Sequence, residues 1–189
     1  CYSLEHGVDA DLKGRFTSLN RRNVSAFCKK LGVSENVFFL TAYNLSIGLF
    51  SNEKDTVSSS IHSGRTDSRW NRLAGPLFLT YFFRNKEGVD QTVPELLKTN
   101  ATQIMDTMRC YISNLHADEM FFQYQGDILN IDTVGGYPAE RQRMQLDSLP
   151  FHLQVFTDDR GYYYELRYWE NRFDTLQLQN FMEVMECLM

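Results

Sequence analysis

His62, Ser63, Arg65, Arg69 and Arg72 are the residues whose types and spacing could do chemistry in this 189-residue chain. All lie in Val57–Arg84, which reads VSSSIHSGRTDSRWNRLAGPLFLTYFFR. A serine beside a histidine is the beginning of a nucleophile–base pair, in which the imidazole takes the hydroxyl proton. Such a pair also needs a group that orients the imidazole. Asp67 can be that group only if the chain turns back sharply. The plainer reading is a strand-end histidine bonded to nearby backbone. Arg65, Arg69 and Arg72 recur at helical spacing and would make a positive stripe able to hold a phosphate. The competing reading is a solvated face with acidic neighbours.

Other sites are not spelled out. There is no phosphate-binding G-x-x-x-x-G-K loop, no G-x-S-x-G elbow and no H-E-x-x-H pair. His6, His62, His116 and His152 are isolated from one another. Cys1, Cys28, Cys110 and Cys187 are scattered, without a C-x-x-C pair. Neither set has metal-ligand spacing, and the cysteines read as reduced thiols of a cytosolic protein. Asp118-Glu119 and Asp158-Asp159 read as solvated connections rather than acid–base dyads.

Composition narrows the function classes. The net charge of −5 and the lack of a long basic run argue against a nucleic-acid binder. Fourteen Phe and ten Tyr suit strands and packed interfaces. The apolar run Val37–Phe50 is broken by Thr41, Asn44 and Ser46 and is shorter than the roughly 20 residues of a membrane span. It reads as a buried helix. The chain begins at Cys1 without a signal peptide, and Met189 falls inside an apolar helical pattern. We expect residues 1–189 to be a single subdomain excised from a longer polypeptide.

The elements that must position these residues follow from periodicity and caps. Arg15–Leu19 is a short strand candidate. Arg21–Leu31 places Val24, Phe27, Cys28 and Leu31 on one helical face and stops at Gly32. Ser34 caps a second helix running to about Asn52, apolar on most sides and therefore buried. Thr56–Ser63 is a strand, Ser68–Ala74 a short helix, and Leu77–Arg84 an apolar strand expected to be covered on both faces. Thr92 and Glu95 form a capping box for a helix reaching about Leu115. Met120–Gln125 is a strand, and Asp127–Leu149 a long polar loop. Phe151–Thr157 and Tyr162–Trp169 flank Asp158-Asp159-Arg160-Gly161 as a hairpin, with Tyr162, Tyr164, Leu166 and Tyr168 on one face, which reads as core or interface rather than a stacking platform. Asp174 and Gln177 cap a final helix. The sum is an α/β fold with a mixed sheet and packed helices.

Several blocks, taken in order, resemble the carboxy-terminal half of the condensation domain of nonribosomal peptide synthetases, within the chloramphenicol acetyltransferase-like superfamily. Gly32-Val33-Ser34 leads into a long apolar helix. Val57–Arg65 is similar to the family's strand ending in Gly-Arg, and Gly75–Arg84 to its Gly-Pro-Phe-x-Asn-Thr-x-Pro-x-Arg block. Phe121-Phe122-Gln123-Tyr124-Gln125 is similar to its Leu-Phe-x-x-x-Tyr-Gln strand. The Phe151–Tyr168 hairpin and Phe173-Asp174 match its ending. Thr80 is kept, but Leu79 stands where the family usually has Asn, and Phe82 where it usually has Pro.

The resemblance implies one half of a CoA-dependent-acyltransferase fold. The whole enzyme would join a carrier-bound acyl or peptidyl thioester to an acceptor aminoacyl amine, as in antibiotic or siderophore biosynthesis. The family's His-His-x-x-x-Asp-Gly motif is absent from this sequence. No catalytic residue is therefore assigned here, and the chain alone is expected to be inactive. It implies channel-lining roles for Ser63, Arg65, Leu79 and Thr80, and contacts from Arg69 and Arg72 to a carrier or its phosphopantetheine arm. It implies no directly bound cofactor, a cytoplasmic setting, no membrane and no nucleic acid. Expected partners are the amino-terminal half of the same domain and peptidyl carrier proteins, with self-association through the exposed half-domain face. Asp127–Leu149 would be the crossover toward the other half. The alternative is a degenerate, non-catalytic module that docks carriers, toward which Leu79 leans. A stand-alone acyltransferase of the superfamily fits least, because its catalytic histidine motif is missing.

Overall fold

The computed structural model describes residues 7–64, 68–73, 75, 77–86, 91–109, 119–127, 133–134, 136–139 and 149–189, without the side chains of Asn71, Arg72 and Val134. Helix α1 (Arg21–Leu31) starts where the Asn20 side chain accepts from the amides of Arg22 and Asn23. It stops at Gly32, whose φ of 72° lets its N–H reach back to Cys28 and Lys29. Ser34 Oγ accepts from Val37 N to open α2 (Glu35–Ser51), and left-handed Asn52 closes it. The expected capping box opens α3 (Val93–Arg109): Glu95 accepts from both the amide and the hydroxyl of Thr92, at 2.9 and 2.7 Å. Asp174 caps α4 (Thr175–Cys187) by accepting from the amides of Leu176 and Gln177.

The strands are β1 (Asp9–Arg15), β2 (Asp55–His62), β3 (Leu79–Lys86), β4 (Phe121–Gly126), β5 (Thr133–Val134), β6 (Tyr137–Pro138), β7 (Phe151–Asp158) and β8 (Gly161–Trp169). Six of them form one sheet in the order β1-β8-β7-β4-β2-β3. The β2–β4 and β4–β7 pairs are parallel, and the others antiparallel. The sheet is therefore mixed, as expected. β5 and β6 make a separate small hairpin.

Alternation along each strand sends one set of side chains to the helices. Tyr81 and Phe83, Phe122, Leu153 and Val155, and Tyr162, Leu166 and Tyr168 join the core with α2 and α4 residues. The tyrosine stripe of β8 is core, as read from its spacing. α2 lies at the centre, with Phe39, Leu40 and Tyr43 fully buried. Two of its polar residues bond across elements: Asn44 Nδ2 donates to Ser58 Oγ at 2.8 Å, and Thr41 Oγ1 accepts from Asn100 Nδ2 of α3 at 3.0 Å.

Three expectations change. The first strand ends at Arg15 rather than starting there. Its sequence, DADLKGR, is half charge, yet Lys13 pairs with Glu165 at 3.4 Å and Asp11 with Arg167 at 3.9 Å across β8. Cross-strand charge pairs suit an edge strand that propensity alone would reject. β3 is the opposite edge, and only one of its faces is covered: Tyr81, Phe83 and Asn85 are buried while Arg84 and Lys86 are exposed. Asp127–Leu149 carries the β5–β6 hairpin, and the rest of it after Asp127, apart from Gly136, Ala139 and Leu149, lies outside the described residues. So does the expected end of α3 at Leu115.

Candidate functional site

The end of β2 and the start of β3 meet as the sequence suggests. His62 is paired with Leu79 and Ile61 with Thr80, so both strands finish at one edge of the sheet. Gly64 makes the turn away from β2. It is buried with φ 67°, and a Cβ there would stand 1.6 Å from the Leu77 carbonyl oxygen. Only glycine lets the two segments come this close. A 3₁₀ turn, Ser68–Arg72, lies in the connection.

His62 behaves as the plainer reading holds. Its Nδ1 accepts the Gly64 N–H at 3.0 Å, which fixes the ring to the local backbone. Asp67, the carboxylate that a triad would require, lies outside the described residues, as does Arg65. Ser63 is exposed just past β2, and Arg69 is exposed on the 3₁₀ turn that also contains Arg72. Leu79 and Thr80 are half-buried neighbours that point to opposite faces of the sheet. Leu79 shares the face of Tyr81 and Phe83, against the helices. Thr80 shares the other face with Ile61, Ser59 and Phe82.

That second face holds a polar set that single residues did not reveal. No described helix packs on it, because the core that joins the helices to the sheet uses the opposite side chains. Across its middle, Gln154 Nε2 donates to Gln123 Oε1 at 3.0 Å, and His152 sits edge-on to Phe121 at 4.9 Å. His152 Nε2 is buried without a hydrogen-bond partner among the described residues. Burial and the neighbouring Arg167 push its pKa down to about 4. Toward β1, Arg15 makes a two-pronged ion pair with Asp158 and lies over the Tyr163 ring. The signal for this set was the period-two alternation of Phe121-x-Gln123 and His152-x-Gln154, which becomes a patch only once β4 and β7 are known to pair.

Among the described residues no helix is long and apolar enough to cross a membrane. Cys28 is buried and unpaired, its thiol pushed up to about 11 mainly by burial, and Cys187 is exposed and unpaired. The other two cysteines lie outside the described residues. Tyr124 and Tyr162 both donate to Glu35 Oε2, at 2.5 and 3.0 Å. They join the start of α2 to β4 and β8.

No family model matches the sequence, and no curated protein does. Solved structures match throughout. The condensation domain that mediates chain release from the enacyloxin polyketide synthase superposes with a TM-score of 0.72 at 13% identity, over 96% of this chain and 40% of that one. The cyclization-docking bidomain of EpoB from Sorangium cellulosum gives 0.72 at 14% identity, over 98% and 42%. The epimerization domain from the third module of tyrocidine synthetase B gives 0.68 at 12%, over 95% and 46%. The chain spans less than half the length of these structures. Its mixed sheet with helices packed against it is therefore the fold of about half a condensation domain, the chloramphenicol acetyltransferase-like architecture.

Proposed function

We propose that this chain is the carboxy-terminal half of a peptide synthetase condensation domain, forming one wall of the channel in which an acceptor amine attacks a carrier-bound thioester. The observation that carries this reading is the fold match over 95–98% of the chain to condensation, cyclization and epimerization domains. The blocks read from the sequence fall on the elements of that fold, with Val57–Arg65 on β2 and its end, Gly75–Arg84 on β3, Phe121–Gln125 on β4 and the final hairpin on β7 and β8.

In this reading the catalytic histidine comes from the other half, since the sequence contains no His-His-x-x-x-Asp-Gly motif. The present residues bind and orient. The face around Gln123, His152 and Gln154, on which no described helix packs, is the side that the amino-terminal half covers. Ser63, Arg65 and Thr80 line the channel, and Arg69 and Arg72 meet the phosphate of a phosphopantetheine arm presented by a carrier.

A second reading is a module of the same fold that docks carriers without catalysis. Leu79 favours it, because an apolar side chain on the sheet face of Tyr81 replaces the amide expected there and removes a polar group. The test is amide formation by the parent protein with an acyl-loaded donor carrier and an aminoacyl-loaded acceptor carrier, the isolated chain run beside it. Product from the parent alone supports the first reading. Carrier binding without product supports the second. Turnover by the isolated chain defeats both and returns attention to His62.

A further inference from the structure

We propose that the exposed face of α1, with the adjoining β7–β8 turn, is a docking surface for an acidic helical segment of a partner protein. The helix sequence RRNVSAFCKKL carries four basic residues and no acidic one, in a chain whose net charge is −5. Val24 and Cys28 face the core, so Arg21, Arg22, Ser25, Lys29 and Lys30 all lie on the solvent side. Arg21 has one exposed ion pair, to Asp127 at 3.3 Å. Arg22, Lys29 and Lys30 have no carboxylate partner among the described residues.

Lys29 and Lys30 suit the last turn of the helix, but at its start the sign of the charge is unfavourable for the fold itself. The first turn of a helix is stabilised by acidic side chains, and here it carries two arginines and no acid. Asn20 caps this turn and Asp127 offsets Arg21, but Arg22 has no carboxylate among the described residues, and a partner can supply the one it lacks. The surface is also shaped to receive one. A cleft of about 500 Å³ between the start of α1 and the β7–β8 turn is lined by Asn20, Arg21, Arg22, Arg160 and Gly161, with Asp159 its acidic member. A shallow, open surface continues along the helix past Arg21, Arg22, Ser25 and Lys29.

Length separates the ligand classes. From Arg21 to Lys30 the cationic groups spread over roughly 14 Å of helix. One phosphate meets only one end of such a row, whereas carboxylates spaced by a helical turn on a partner meet its whole length. A nucleic acid would be repelled by the rest of an acidic chain. The inference does not depend on the condensation reading, and amide formation does not test it.

The experiment follows backbone amide shifts of the isotopically labelled chain on titration with four probes. These are a short helical peptide with glutamate at one-turn intervals, its glutamine counterpart, inorganic phosphate and a single-stranded DNA oligonucleotide. The expected result is that shifts gather on Arg21–Lys30 and the β7–β8 turn, and that the glutamate peptide binds about tenfold more tightly than the glutamine one and weakens with salt. The double charge reversal Arg22→Glu, Lys29→Glu should lose that preference and gain binding of a lysine peptide. Both side chains are solvent-facing and unpaired, so the fold should survive, and Arg22→Gln with Lys29→Gln gives a milder check. Equal binding of the two peptides, shifts dispersed over other lysines, or an unaffected double variant overturns the proposal. Displacement of the peptide by phosphate, or tighter binding of the oligonucleotide, overturns it in favour of that ligand.

Discussion

Glu35 Oε2 accepts the hydroxyl of Tyr124 at 2.5 Å, fixing the first turn of α2 to the end of β4. The same oxygen accepts from Tyr162 on β8. One carboxylate thus aligns the central helix with two strands. Glu35→Ala leaves two tyrosine hydroxyls without their acceptor and should cost about 1–3 kcal/mol. Glu35→Gln keeps an acceptor oxygen and should cost less. Urea unfolding of the two variants checks the order, and equal losses would show that the oxygen is not the tie.

His152 makes the fold acid-sensitive. Burial and Arg167 hold its pKa down to about 4, below its ordinary value of 6.5. Asp11, which faces Arg167 at 3.9 Å, and Glu165 on β8 are the acidic groups nearby on the same sheet face. Between these two pH values the unfolded chain binds a proton that the folded chain refuses. Stability is therefore full above about pH 6.5 and falls as the pH drops, by about 1.4 kcal/mol per pH unit from this group. His152→Gln should flatten the decline between pH 6.5 and 4.5 in urea midpoints. An unchanged slope would assign the acid limb to other groups.

Caps and periodicity made the helices legible. Ser34, Thr92 with Glu95, and Asp174 are local signals, and each opens a helix in the structure, while α1 was marked by its apolar face and Gly32. The β7–β8 hairpin was equally local, since its turn lies between its strands. β1 was missed because Asp9, Asp11 and Lys13 carry a strand only through partners on β8, more than 150 residues away. The single-sided burial of β3 was missed because edge position belongs to the sheet, not to the strand. The convergence of His62 and Leu79 was readable from the polar connection that joins the two runs. The Gln123–Gln154 patch was not, because a parallel pair across a long connection leaves no mark in either segment.

Tyr43 supplies an alkaline limit. It is fully buried in α2, and burial alone raises its pKa well above 10. Tyr124 and Tyr162 are raised as well, by burial first and then by Glu35. Above about pH 10 the unfolded chain releases these protons while the folded chain keeps them. Stability should then fall with rising pH, by about 1.4 kcal/mol per pH unit for each such tyrosine. Tyr43→Phe should shallow this limb with little loss at neutral pH. Denaturant midpoints between pH 9 and 11 measure it, and an equally steep limb in the variant would exclude Tyr43 as a source.

Gly64 and Gly32 separate conformational strain from collision. Both are left-handed, with φ of 67° and 72°. A Cβ on Gly32 meets open space, whereas on Gly64 it falls 1.6 Å from the Leu77 carbonyl oxygen. Gly32→Ala should cost about 1–2 kcal/mol, the ordinary penalty for an L-residue in this region. Gly64→Ala carries that penalty and must also displace the segment before β3, so its cost should exceed that of Gly32→Ala by a further 1 kcal/mol or more, roughly that of other overpacked sites. The added loss should be local. Amide exchange should quicken at His62, Gly64 and Leu79 in Gly64→Ala and stay unchanged there in Gly32→Ala. Equal costs and equal exchange would mean that Leu77 yields freely, and that the close approach of the two strand ends is not what holds this edge of the sheet in place.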